Sequence, residues 1–205
     1  MNDIVLHPPD SNHADISSQS VPYDRLMGRW CVIASTLPLW RNKRDVTITY
    51  SAIPGEPATT FDDSVEFSYS LPMLGWRKSE VKGVDRLEED VEGNGARWKW
   101  RGKGLLKIST SQWQLLGHSL GPPSASDPSS SGSADPSSSL GNPDWVVTYF
   151  SSTLFTPAGL DIYARTPDAL SQEHVEKLVD RLKGLGGEIE ELVKDGGMFR
   201  VPFSS

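Results

Sequence analysis

From Gly28 to Arg165 apolar and polar residues alternate one by one, and this pattern constrains the fold more than any other feature of the chain. A period of two puts every second side chain on the same face of an extended backbone, so the segment predicts strands. Val46, Ile48 and Tyr50 alternate with Thr47, Thr49 and Ser51. Val65, Phe67, Tyr69 and Leu71 alternate with Glu66, Ser68 and Ser70. Lys78, Glu80 and Lys82 alternate with Ser79, Val81 and Gly83, and Trp98 and Trp100 with Arg97, Lys99 and Arg101. Trp113 and Leu115 alternate with Gln112 and Gln114, Trp145 to Phe150 is nearly all apolar, and Leu160, Ile162 and Ala164 alternate with Asp161, Tyr163 and Arg165. With Gly28 to Ser35 as the first, this makes about eight strands. Turn-forming residues divide them at Pro54-Gly55-Glu56-Pro57, Gly75, Gly93-Asn94-Gly95, Pro143 and Pro157-Ala158-Gly159. The expected fold is all-β: an eight-stranded antiparallel up-and-down barrel, which removes unpaired strand edges by closing on itself.

One helix is expected after the strands, packed outside the barrel. Ser171 is its N-cap, Val175, Leu178, Val179, Leu182 and Leu185 form its apolar stripe, and Gly186-Gly187 ends it. Glu188 to Val193 reads as a last short strand. Residues 1–20 are polar and read as a disordered N-terminal tail, with the barrel domain over 21–205. Within that domain, 121–143 is mostly Ser, Pro and Gly with only Asp127 and Asp135 charged, too little apolar surface to offset ordering entropy, so a disordered insertion is expected.

Composition narrows the function. The chain has 205 residues and a formal charge of −7, from 20 Lys and Arg against 27 Asp and Glu, without the basic face that nucleic acid requires. Cys31 is the single cysteine, which excludes an intrachain disulfide and a cysteine-based zinc site, so no metal is expected. Signal-peptide and myristoylation patterns are absent, and no apolar run approaches a membrane span. The default expectation is a cytoplasmic protein. There is no nucleophile elbow, phosphate-binding loop, dinucleotide fingerprint or metalloprotease helix, and no cofactor is expected.

Three segments resemble the lipocalin family, closest to its bacterial lipocalin and apolipoprotein D subgroup. Tyr23-Asp24-Arg25-Leu26-Met27-Gly28-Arg29-Trp30 is similar to the family's Gly-X-Trp opening, Asn42 to Tyr50 to the subgroup's second strand, and Asp161 to Pro167 to its last barrel strand. The resemblance implies that Gly28, Trp30 and Arg165 are structural, with the arginine lying across the tryptophan at the barrel floor. Pro143-Asp144-Trp145 is a poor match to the family's middle motif, and the cysteine pairs of secreted members are missing.

A barrel of this size has an interior filled by side chains or holding one small ligand. With charged faces turned to water, Ile48, Tyr50, Phe67, Tyr69, Trp98, Trp100, Trp113 and Leu115 point inward, either walling a cavity for a planar hydrophobic guest or filling it as core. The first, third, fifth and seventh loops share the open rim, at Leu37-Pro38-Leu39-Trp40, Pro72-Met73-Leu74, Ile108-Ser109-Thr110 and Leu154-Phe155-Thr156. Trp40, Arg41, Arg44, Met73 and Phe155 are its candidate contacts. An apolar ring there suits ligand access or contact with a membrane surface or protein. Arg41, Lys43 and Arg44 offer cations to an acidic ligand or stand as a solvated loop. The sixth loop falls at the closed end. Two functions follow: a carrier or scavenger of a small hydrophobic molecule, or a cofactor-free isomerase, cyclase or decarboxylase. For the second, His118 and Asp161 are the candidate proton-transfer groups. Cys31 is expected outward, buried under the helix.

Overall fold

The computed structural model describes residues 4–88, 96–104, 110–121, 143–153 and 156–204. Its strands are β1 (Gly28–Ser35), β2 (Lys43–Ala52), β3 (Thr60–Leu71), β4 (Gly75–Leu87), β5 (Arg97–Gly102), β6 (Thr110–His118), β7 (Trp145–Phe150), β8 (Gly159–Ala164) and β9 (Phe199–Arg200). Each of the first seven pairs antiparallel with the next, and β8 returns to pair with β1, which also pairs with β2. The barrel is closed. Helix α1 (Tyr23–Leu26) lies at its floor, and α2 (Gln172–Lys183) and α3 (Gly187–Val193) lie outside.

Two apolar clusters share the strands between them. Inside lie Trp30, Ile48, Tyr50, Phe61, Trp98, Trp113, Leu115 and Tyr163. Outside, Cys31 and Ile33 of β1, Leu116 of β6, Val147 of β7 and Leu160 and Ile162 of β8 pack beneath Val175, Leu178 and Leu182 of α2 and Ile189 and Val193 of α3. Strands under the helices are therefore buried on both faces. Ser171 caps α2 by accepting from the His174 backbone N–H at 3.1 Å.

Two expectations need correction, and one strand has no counterpart among them. The segment Glu188 to Val193 is helical, part of α3, because Ile189 and Val193 are spaced to share one buried helical face. The described part of the N-terminal segment is not a free tail. Its Ile16 is buried, Ile4 and Leu6 pack on the outer cluster, and the His7 N–H donates to the Leu116 carbonyl at 2.7 Å. Gly117 permits that crossing, since a Cβ there would lie 2.5 Å from the Val5 carbonyl oxygen. Three apolar residues scattered among polar ones suffice when they fall on an apolar surface already formed. Finally, the sequence pattern does not predict β9. It pairs with Ala34 and Ser35 of β1, while the Asp45 N–H donates to the Pro202 carbonyl at 2.9 Å, so the C-terminal segment closes the seam between β1 and β2 above their own pairing. Residues 122–142 of the Ser/Pro-rich insertion lie outside the described residues.

Candidate functional site

The floor is built first. Trp30 is fully buried and its indole N–H donates to the Leu26 carbonyl at 2.8 Å. The Arg165 guanidinium lies 3.4 Å from the Trp30 ring centroid and donates to the carbonyls of Arg25, Met27 and Arg29. Asp144, just before β7, pairs with Arg25 at 2.8 Å and with Arg165 at 3.7 Å. Gly28 has a φ of +92°, a conformation costly for any residue with a Cβ, and brings the chain past Arg165 into β1. These groups bond chiefly to one another, with Arg25 Nε left without a partner among the described residues. They hold the base shut, below the ligand space.

Above the floor, Trp98 and Leu115 are fully packed, and Trp98 stacks on Trp113 with centroids 4.5 Å apart. Tyr50 extends that array, 5.7 Å from Trp113 and nearly parallel to it. Over this aromatic layer opens a cavity of about 770 Å³, bounded by Ile48, Tyr50, Val65, Phe67, Trp100 and Trp113. The interior is thus walled and not solid. Of the eight residues expected to line it, Trp98 and Leu115 are instead its packed base. Tyr69 lies beyond the lining, its ring 6.4 Å from that of Phe67.

The premise that charged residues face water fails at three positions. Asp63 of β3, Asp85 of β4 and Asp161 of β8 are all buried inside the barrel. Each carboxyl is matched to an indole. Trp113 donates to Asp85 at 2.8 Å and Trp40 to Asp161 at 3.4 Å, and the Trp100 indole stands against Asp63 and favours its charged form. Burial raises all three above the usual carboxylate range, Asp161 to about 7, and Asp85 further still because the Asp63 charge stands beside it. The same burial, with the neighbouring acids, raises the hydroxyls of Tyr50 and Tyr163 well above their usual value. Asp63, Asp161, Tyr50 and Tyr163 line the cavity, so an apolar vessel carries a polar, titratable stripe. The physical reason at β8 is the double burial already described. Leu160 and Ile162 go under the helices, and strand alternation then forces Asp161 and Tyr163 inward.

Gly83 makes room for this arrangement. A Cβ there would lie 2.1 Å from Trp100 Nε1, so only glycine lets the indole lie flat across β4 toward Asp63.

The rim residues are placed at the open end. Leu37, Leu39, Trp40 and Lys43 line the mouth together with Thr110, Gln112 and Thr156. Arg41 lies over the Phe199 ring at 4.4 Å and Arg44 over Trp76 at 3.9 Å. Lys43 reaches the cavity, donating to the Leu39 carbonyl at 2.9 Å with its ammonium 5.0 Å from the Phe67 ring centroid. Of the expected cation trio, then, Lys43 lines the cavity, while Arg41 and Arg44 are spread on aromatic faces. Met73 is fully exposed, with Leu74 and Trp76 also exposed, at the β3–β4 hairpin. Phe155 lies outside the described residues.

His118 does not reach the cavity. It lines a separate cleft beneath the N-terminal segment, with Asp15, Ile16, Trp145 and His174, and burial lowers its pKa. The expectation that His118 could act with Asp161 is therefore corrected: the end of β6 lies at the floor, away from the ligand space. Cys31 is buried under the helices, and that burial raises its thiol pKa, the reverse of nucleophile activation. In the N-terminal segment, His7, His13 and Asp15 come together with potential ligand atoms within 4.8 Å of one another, a cluster that no sequence motif announces. Asp15 bonds both histidines, which stack 4.1 Å apart, and so pins this segment on itself.

No family model matches the chain, and no curated protein matches it in sequence. Solved structures do match in shape. Lobster apocrustacyanin A1 superposes with a TM-score of 0.57 at 11% identity, over 100% of this chain and 93% of the other. Insecticyanin from the tobacco hornworm Manduca sexta gives 0.56 at 13% identity, over 99% and 91%. The siderocalin Ex-FABP, described as functioning through dual ligand specificities, gives 0.52 at 11% identity, over 88% and 96%. These neighbours are lipocalins. The closed eight-strand barrel with an extra strand and a C-terminal helix is the lipocalin fold, and at such low identity the likeness is one of fold.

Proposed function

We propose that this chain is a binding protein, a cytoplasmic carrier or scavenger that holds one small hydrophobic molecule, aromatic or polycyclic, inside the barrel. We place it nearest the bacterial lipocalin and apolipoprotein D subgroup, on the segments around Trp30, Tyr50 and Arg165. The observation that carries the reading is the open cavity of about 770 Å³ over a stacked Tyr50, Trp113 and Trp98 layer. That size is typical of small-molecule pockets, roughly 300–1,000 Å³, and mostly apolar walls with a few convergent polar groups are their usual chemistry. Flat aromatic walls favour a flat guest through offset stacking. The lipocalin neighbours, one of them described by its ligand specificities, support a binding role.

Tryptophan fluorescence tests this directly. Titration with 1-naphthylmethanol should quench saturably at one site per chain, and Trp113→Phe should remove much of the signal. Native mass spectrometry of freshly purified protein should show a co-purifying organic mass. Non-saturable quenching together with a bare protein mass would overturn the carrier reading.

A second reading, a cofactor-free proton-transfer enzyme, is favoured by Asp161, a carboxyl near neutrality in an apolar cavity. An isomeric or decarboxylated product formed from the co-purifying molecule, and lost in Asp161→Asn, would support it. Release of that molecule unchanged would leave the carrier.

A further inference from the structure

The interior carboxyls are costly for a vessel meant to hold hydrocarbon. Asp63 and Asp161 are each more than nine-tenths buried and both line the cavity. Oδ1 of each has no hydrogen-bond partner among the described residues. A buried polar oxygen without a partner is destabilising, so its retention in the ligand space calls for a donor that arrives with the ligand. Trp40 donates to Asp161 Oδ2 and the Trp100 indole stands against Asp63, which leaves one oxygen of each carboxyl, within the cavity wall, without a donor. The Lys43 ammonium does not fill that role, being engaged by the Leu39 carbonyl and the Phe67 face.

Resting on the carrier reading above, we propose that the ligand is a cationic aromatic amine. Its ring lies on the Tyr50 and Trp113 faces, and its ammonium donates to Asp63 or Asp161. Aromatic faces attract cations as well as rings, so wall and stripe select for the same chemistry. A neutral hydrocarbon would leave the two oxygens unpaired, and a carboxylate ligand would place like charges together.

Protons balance in a defined way. When an ammonium meets a protonated carboxyl, the carboxyl proton leaves to solvent and an ion pair remains. The groups facing Asp63 are Tyr50 of β2, Asp85 of β4, Trp100 of β5 and Tyr163 of β8. Those facing Asp161 are Ser35 of β1, Trp40 beside β2 and Tyr163 of its own strand, with Lys43 at the mouth. Because Asp161 titrates at about 7, amine affinity rises as pH increases through that value.

The test uses the full chain and three probes of one skeleton: 1-naphthylmethylamine, 1-naphthylmethanol and 1-naphthoate. Titration calorimetry at pH 6 and pH 8, in buffers of differing ionisation heat, reads affinity and proton release together. At pH 8 the amine should bind at least tenfold tighter than the alcohol and tighter still than the naphthoate. At pH 6 its binding should release a proton and weaken severalfold. The double variant Asp63→Asn with Asp161→Asn, checked by circular dichroism for folding, should shrink the amine-to-alcohol preference at least fivefold, and the single variants show which carboxyl carries the pairing. Should the wild-type protein bind the alcohol or the naphthoate as tightly as the amine, the amine inference falls and the hydrophobic carrier stands. Should none of the three bind, the amine inference falls, and the carrier reading falls with it when native mass spectrometry also shows a bare protein.

Discussion

A single aspartate shows how much one buried group can govern. Asp161 is held near pH 7 by burial, against about 3.9 for an exposed aspartate in the unfolded chain. Between those values the folded protein keeps a proton that the unfolded chain has lost. The stability this group contributes is therefore full below about pH 4 and is lost as pH rises through about 7. Asp45 works in the opposite sense, since its hydrogen bonds with Ser204 hold it below its usual value. Asp161→Asn should flatten the pH dependence of urea unfolding between pH 4 and 7. Above pH 7 it should stabilise the empty barrel by about 2–4 kcal/mol, because each pH unit between the folded and unfolded titrations corresponds to about 1.4 kcal/mol. An unchanged pH profile would show that Asp161 is solvated. Gly83 is the second decisive residue. Gly83→Ala pushes a methyl into the Trp100 indole and should cost about 1–3 kcal/mol in thermal or denaturant unfolding. Near-UV circular dichroism should change as well, because the displaced chromophore is an indole.

At the scale of elements, the floor depends on α1, β1 and β8 meeting through one side chain. Arg165→Ala removes a cation–π contact and the donors to three carbonyls of the α1–β1 corner, leaving Asp144 with Arg25 as its remaining partner. A loss of about 2–4 kcal/mol is expected from charge-assisted bonds of this kind, with ligand affinity changed less than threefold. A melting temperature equal to wild type would remove the structural role. Elements also explain what could be read from sequence. Strands with one wet face, such as β2 and β3 around Ile48 and Phe67, announce their inward side by alternation. Those lying under α2 and α3 do not: in β8 the apolar set Leu160, Ile162 and Ala164 goes under the helices, so Asp161 turns inward opposite Ser35 and Thr148, a choice that alternation alone does not make. Asp63 and Asp85 escaped for another reason: an acid in a strand reads as solvent-facing unless the indoles that receive it are known, and Trp100 and Trp113 are far away in sequence. The β9 seam was illegible because two residues carry no period.

The molecule as a whole has a closed base and an open, greasy mouth. Met73, Leu74 and Trp76 project from the β3–β4 hairpin at that end, with Arg44 stacked on Trp76. An apolar tip beside cations suits transfer of a poorly soluble guest from an anionic lipid surface. If the hairpin is a membrane contact, the wild-type protein should co-sediment with phosphatidylserine vesicles, and Met73→Glu combined with Leu74→Glu should abolish this while leaving the fold intact. Equal sedimentation of the variant would exclude the hairpin as the contact. The cavity mouth and the exposed apolar hairpin are thus both gathered at one pole. The opposite pole receives the two flanks of the sixth loop: Asp144 pairs with Arg25, and a Cβ at Gly121 would lie 3.7 Å from the same guanidinium. A fluorophore or a whole reporter domain grafted between those flanks would hang beneath the vessel like a keel, free to vary in bulk without obstructing what enters above.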